Sequence, residues 1–216
     1  MERKEHWENV YSTKATTEVS WYQVHATTSL RLIREAHVPR SAAIIDVGGG
    51  ASALAGDLLG LGFEHLTVLD LSGAALAAAR SRLGDRASGI QWVEGNVLAA
   101  DLPAHGYDLW HDRALFHFLT GAEERQEYVR RVREALKPGG MVIVATFAED
   151  GPAMCSGLPV MRYSADQLHA EFGESFELLG HEKEFHRTPG GKEQRFVYCL
   201  LRRAAGSHAD VARAPR

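Results

Sequence analysis

The chain has 216 residues, 45% hydrophobic and 24% charged, with a net charge of −4. That is enough length for one α/β domain with a large core, and the mildly acidic balance argues against nucleic acid as a main partner. Its two cysteines, Cys155 and Cys199, form neither a disulfide framework nor a zinc pattern, so no metal is expected and a cytoplasmic location is. The start, Met1-Glu2-Arg3-Lys4-Glu5-His6-Trp7, is too polar for a signal peptide, and no apolar run is long enough to span a membrane.

Residues 1–40 read as an N-terminal helical arm. His6-Trp7, Val10-Tyr11 and Trp21-Tyr22 make it aromatic-rich, and Leu30, Ile33 and Val38 mark an amphipathic helix over Thr27 to Ala36 that Pro39 ends. The apolar run Ala42-Ala43-Ile44-Ile45 closes on Asp46, followed by Val47, the triplet Gly48-Gly49-Gly50 and Ala51-Ser52. A helix over Ala53 to Leu61 stops at Gly62, and a second run, Leu66 to Leu69, ends on Asp70. This is a strand, glycine turn, helix and strand, one parallel crossover unit. Glycine lets a ligand approach the backbone closely. The helix that follows offers free N–H groups. An acid ending the next strand suits the two hydroxyls of a ribose. The turn lacks the Gly-Lys-Ser/Thr of a phosphate-binding loop. Asp46 would repel a pyrophosphate and suits a cofactor that carries a cation instead.

With these residues in place, Asp46-Val47-Gly48-Gly49-Gly50-Ala51-Ser52 resembles the first motif of class I S-adenosylmethionine-dependent methyltransferases, with Ser52 at the third glycine. The resemblance covers roughly residues 40 to 202. It implies S-adenosylmethionine as cofactor and Asp70 as the ribose-binding acid. It also implies an N-terminal arm over the cofactor, with Trp21 and Tyr22 as the expected contacts. The alternative reading of those aromatics is plain packing of the arm onto the domain.

Downstream, Ser72 caps an alanine-rich helix through Leu83, closed by Gly84. Ile90 to Val93 is a third strand running into Glu94-Gly95-Asn96-Val97. By resemblance, Leu71, Asn96 and Val97 are cofactor contacts, with Asn96 standing where the family's aspartate accepts from the adenine amino group. Tyr107 to His111 is the fourth strand. Asp112, Arg113 and His117 follow it, where the family faces methyl donor and acceptor. Asp112 and His117 are the expected base or orienting groups, and Asp112 and Arg113 also count as cofactor contacts. The packing alternatives are a half-buried histidine and a surface ion pair. The segment His111-Asp112-Arg113 is similar to short segments of two methyltransferase groups, one acting on protein lysines and one on small thiols and related soft nucleophiles.

Thr120 with Glu123 reads as a capping box opening a helix to Leu136. Lys137-Pro138-Gly139-Gly140 is a turn before the strand Met141 to Phe147. Glu149 to Pro159 is a loop, and Ser164 caps a helix over Ala165 to Phe172. Phe176 to Leu179 and Arg195 to Leu201 are closing strands flanking a charged stretch, Glu182 to Lys192. The alternation of strand and helix predicts an α/β doubly wound fold with helices on both faces. The resemblance adds a seven-stranded, mostly parallel sheet with an antiparallel C-terminal hairpin. The expected division is an arm at 1–40, a cofactor-binding domain at 41–203, and a disordered tail at 204–216.

The expected function is methyl transfer to a small-molecule nucleophile, such as a thiol or a related soft anion. Protein-lysine methylation and non-catalytic cofactor sensing stay open. A nicotinamide reductase is disfavoured by Asp46. No nucleic-acid or membrane partner is expected, and the sequence leaves the oligomeric state open.

Overall fold

The structure is a computed structural model and describes residues 3–205. Two helices come first, α1 (Arg3–Thr13) and α2 (Thr27–Glu35). The crossover unit follows as β1 (Ala43–Val47), α3 (Leu54–Gly60) and β2 (His65–Asp70). Next come α4 (Gly73–Leu83), β3 (Ile90–Glu94), β4 (Tyr107–Arg113), α5 (Ala122–Ala135) and β5 (Leu136–Phe147). A small hairpin, β6 (Met154–Cys155) and β7 (Leu158–Pro159), precedes α6 (Ala165–Phe172), β8 (Phe176–Arg187) and β9 (Glu193–Arg203).

Seven strands form one sheet in the order β3-β2-β1-β4-β5-β9-β8. Pairing is parallel from β3 to β5, and β9 runs antiparallel to both β5 and β8. The order reverses between β1 and β4. In a doubly wound sheet such a reversal opens a crevice beyond the strands' carboxyl ends, where ligands bind. Helices pack on both faces over two apolar clusters. One gathers Ile33, Ile44, Leu54, Leu58, Leu109 and Ile143, and the other Ile45, Trp110, Tyr128, Val132, Val142 and Val144. Each central strand feeds both clusters, because alternate side chains of a strand point to opposite faces.

Several boundaries differ from the sequence reading. The residues Arg3–Thr13 form a full helix. The cap of α5 lies one residue late: its N-cap is Gly121, and Glu124 rather than Glu123 reaches back to the Gly121 N–H. Two adjacent acids made both registers possible. The Lys137-Pro138-Gly139-Gly140 turn is drawn into an irregular start of β5, where the register shifts opposite Tyr107 and Leu109 and Gly139 takes φ +77°. β8 continues through the charged stretch to Arg187, because β9 is long enough to pair it throughout. As an edge strand it tolerates charge on its open side. The tail expected to be disordered lies, from residue 206 on, outside the described residues.

Candidate active site

A cleft opens at the carboxyl ends of β1, β2 and β4 in two adjoining lobes. The larger encloses about 800 Å³, including its mouth, and is lined by Trp7, Gly48, Asp70, Leu71, Asn96, Val97, Leu115, Phe118 and Cys155, among others. The smaller lobe is lined by Gln23, Ser29, Asp46, Gly49, Ser52, Ala53 and His111. Tyr11, Trp21, Gly48 and Arg113 border both lobes, so they form one elongated site.

The glycine triplet keeps two buried carboxylates in place. Gly48 has φ +67°, which favours glycine, and a Cβ there would stand 2.9 Å from the Leu115 side chain. A Cβ on Gly49 would collide with the Asp46 carboxylate. One on Gly50 would come within 2.5 Å of Asp70 Oδ2 and 2.7 Å of the Ala75 Cβ. Gly48 and Gly49 line the cleft. Gly50 does not; it makes room for Asp70.

Asp70 ends β2 at the larger lobe. Its Oδ1 accepts the Ser72 N–H at 2.8 Å. Burial pushes its carboxyl up to about 6, against hydrogen bonds from Ser72 and Gly50 that favour the charged form. Ser72 caps α4 by accepting the Ala75 N–H at 3.1 Å. Glu8 of α1 accepts the next two free donors, Gly73 N–H at 2.6 Å and Ala74 N–H at 3.2 Å. Lys4 pairs with Glu94 and Arg3 with Glu124, both at 2.7 Å. These contacts dock α1 across the mouth. Trp7 then meets Trp21 at 5.7 Å and Phe118 at 5.1 Å between ring centroids, and Tyr11 meets Trp21 at 6.1 Å.

Asp46 belongs to the smaller lobe. Its Oδ1 faces His111 Nδ1 at 2.7 Å, and His111 Nε2 faces Ser29 Oγ at 2.8 Å. Asp46 Oδ2 is buried with no partner. Arg113 holds the cleft's rim. It donates to Tyr198 Oη at 2.8 Å, to the Trp21 carbonyl at 3.2 Å and to Glu184 at 3.3 Å, and its guanidinium lies 4.4 Å from the Phe196 ring centre. Arg113 thus borders both lobes, and it spends its donors on anchoring the Trp21 loop.

Two expected bases are not brought to the cleft. Asp112 is fully buried on the opposite face of β4. It accepts the Tyr128 hydroxyl at 2.5 Å, the Leu115 N–H at 2.9 Å and the Phe116 N–H at 3.1 Å. Tyr128 accepts in turn from Trp110 Nε1 at 2.9 Å. The carboxylate is therefore a clamp between β4, the turn after it and α5, and it borders neither lobe. The reason is the strand's period of two: β4 continues to Arg113, so His111 and Arg113 share the cleft side and Asp112 turns away. His117 is also fully buried, packed on Phe118 and Phe147 at 4.5 and 4.8 Å between ring centroids. Burial drives its imidazole down to about 3, so it stays neutral.

Other residues that the sequence singles out lie on the cleft. Trp21, Leu71 and Val97 line the larger lobe, and Trp21 reaches both. Asn96 lines it too, but its Oδ1 accepts the Leu98 N–H at 3.0 Å, which fixes a local turn. Tyr22 borders the smaller lobe. The sequence reading did not single out Leu115, Phe118 or, as wall residues, Trp7 and Tyr11. The spacing of Trp7, Val10 and Tyr11, three and four apart, was the available signal for one helical face. Among the described residues no helix is long and apolar enough to cross a membrane, and no group of three or more potential metal ligands occurs.

A buried carboxylate after β2, a glycine turn after β1 and a carboxylate oxygen without a protein partner make a cleft whose chemistry suits a nucleoside with a cationic far end. S-adenosylmethionine fits that description. The family model of a methyltransferase domain matches residues 44–140. The human EEF1A lysine methyltransferase 2 is 23% identical over 212 residues, covering 92% of this chain and 84% of that protein. A solved structure described under conversion of a disulfide bond into a thioacetal group during echinomycin biosynthesis shares the fold, with a TM-score of 0.78 and 20% identity over 96% of this chain and 95% of that one. The Burkholderia thailandensis 1,6-didemethyltoxoflavin-N1-methyltransferase, solved with S-adenosylhomocysteine, has a TM-score of 0.65 at 18% identity, over 93% and 84% of the two chains. The family model, the methyltransferase relatives and the shared fold together support a class I S-adenosylmethionine-dependent methyltransferase with S-adenosylmethionine as its cofactor.

Proposed function

We propose that this enzyme methylates a small molecule through a soft, already deprotonated nucleophile, a thiolate or a related anion. The observation that carries this reading is the composition of the cleft wall. Among the described residues lining it, the acids and imidazoles are Asp46, Asp70 and His111. Asp70 serves the ribose and the other two lie at the amino-acid end. The acceptor side has Trp7, Tyr11, Trp21, Phe118, Leu119 and Cys155. Burial pushes the Cys155 thiol up to about 12 and the Tyr11 phenol higher still than its ordinary value. Neither is a base at neutral pH, so an acceptor that must shed a proton finds no group to take it.

When bound, the cofactor supplies an electrophilic methyl group on a sulfonium. The chain's residues orient and shield. Asp70 holds the ribose, Asp46 accepts from the cationic amino group, and Leu71, Asn96 and Val97 border the adenine. The aromatic wall excludes water and offers ring faces to a cation. We assign α1 the role of lid. Its ion pairs to Glu94 and Glu124 are solvent-exposed and therefore weak, which suits a cover that must open every cycle.

Relatives act on several acceptor types. One is named for a protein lysine and one for a nitrogen of a small molecule, while a third is described by chemistry at a disulfide. The last supports the sulfur reading. The test is a labelled-methyl screen across small thiols, amines, carboxylates and extract proteins, with pH–rate profiles for any hit. Thiols should lead, and the rate should follow the acceptor's own ionisation as its pKa is varied. Preferred amine or protein labelling, with a pH limb that stays fixed across acceptors, would overturn the proposal.

A further inference from the structure

We infer that His111 and Ser29 are positioning residues that aim Asp46 at the amino-acid end of the cofactor. The three side chains form one buried chain across two elements, α2 and β4, ending on β1: Ser29 to His111 at 2.8 Å, then His111 to Asp46 at 2.7 Å. Each is at least 95% buried, and all three border the smaller lobe.

The direction of the chain follows from donor and acceptor chemistry. A carboxylate only accepts, so the proton facing Asp46 is on His111 Nδ1. In that tautomer Nε2 is the acceptor, and the Ser29 hydroxyl donates to it. Every donor in the chain points toward Asp46 Oδ1. Oδ2 is left with no partner, in the space that Gly49 keeps open by lacking a Cβ. A buried acceptor without a donor is costly unless a ligand supplies one. The group that satisfies it is an ammonium, and a carboxylate is repelled. The Nδ1–H of His111 fixes the carboxylate's rotamer through one oxygen and leaves the other for the ligand.

Ser29 gives the chain a fixed origin. It lies in the first turn of α2, and Asp57 of α3 accepts the Ala26 N–H just ahead of that helix at 3.2 Å. The arm's second helix is thereby tied to the residue that reads the cofactor's far end.

The test compares S-adenosylhomocysteine with 5′-methylthioadenosine by calorimetry. Both carry adenosine and a neutral sulfur, and only the first has the amino-acid end. In His111→Leu the affinity for S-adenosylhomocysteine should fall about ten-fold or more, and that for methylthioadenosine by less than about two-fold. His111→Asn keeps an N–H toward Asp46 and should recover most of the loss. Ser29→Ala should show the same split at about three-fold, and it serves if His111→Leu does not fold. Equal loss of both ligands means a merely structural role and overturns the inference, as does undiminished S-adenosylhomocysteine affinity. The measurement involves no methyl acceptor, so it stands or falls apart from the thiolate proposal.

Discussion

Asp70 and Asp112 are the same residue type in nearly the same electrostatic condition, yet they belong to opposite parts of the molecule. Asp70 is the last residue of a parallel strand and Asp112 the last but one, both are buried, and burial pushes both carboxyls up to about 6. Asp112 is saturated from within, by one phenol and two backbone N–H groups. Asp70 borders the cleft and has only backbone donors around it. A raised carboxyl therefore does not identify an acid that acts on a ligand. What separates the two is where their unfilled acceptor capacity points. Asp112 spends its acceptors inside the fold, and Asp70 keeps some facing the cleft, where we propose a ribose binds.

Mutation should separate them most sharply at Asp112. Removing its carboxylate strands three buried donors, each costing roughly 1–3 kcal/mol. Asp112→Ala should thus lose about 3–5 kcal/mol of stability, while the cofactor's affinity per folded molecule stays within about two-fold. Denaturant unfolding alongside calorimetry measures both. A stable Asp112→Ala that no longer binds would return Asp112 to the active site.

Asp70 should behave in the opposite way. Asp70→Asn should weaken cofactor binding by about ten-fold or more, because two charge-assisted bonds to the ribose are lost. The ligand-free protein should become more stable at neutral pH, by at most about 3 kcal/mol for a displacement of roughly two pH units. A carboxyl whose folded pKa is raised contributes stability that is complete below the unfolded value near 4 and is lost as pH rises through about 6. The difference in stability between Asp70→Asn and wild type should therefore be near zero at pH 4, grow to pH 6 and level off above it. A flat difference curve would mean that Asp70 is not held in a desolvated state.

The comparison also shows what the sequence made legible. The crossover unit was readable because its parts are local: an apolar run, a glycine turn, a helix and a second run ending on an acid. Asp46, Gly48, Gly49 and Asp70 followed from that unit, and the structure places them on the cleft. Asp112 and His117 look like cleft residues in the sequence because they are ionisable and close to Arg113, but of the three only Arg113 borders the cleft. The strand extends two residues beyond His111, and alternation across it sends Asp112 into the opposite core. His117 then enters a short turn whose rings enclose it. The Ser29–His111–Asp46 chain was not readable at all. Its members are 17 and 65 residues apart and meet only when α2 docks against the sheet. The length of β8 was hidden for a related reason: its charged residues suit an edge strand, and only the partner β9 reveals the pairing.

The smallest expected effect is at His117, and it tests the acceptor side. Its imidazole is buried, and burial lowers it to about 3, while an unfolded histidine takes up a proton near 6.5. A depressed histidine contributes stability that is present above the unfolded value and lost as pH falls below it. That sign is opposite to the sign at Asp70. His117→Gln removes the titration, so relative to wild type the variant should gain stability on acidification, about 2 kcal/mol at pH 5, where the displacement in play is roughly 1.5 units. At pH 7 and above the substitution should cost about 1 kcal/mol or less beyond local repacking of the Phe118 and Phe147 contacts. The pH dependence of kcat between 6 and 9 should not move, because a group that titrates near 3 carries no proton to exchange in that window. If His117→Gln instead erases an alkaline or neutral limb of the rate profile, the imidazole reaches the acceptor in the working enzyme. The base-free cleft would then have to be abandoned, together with the preference for a nucleophile that arrives deprotonated.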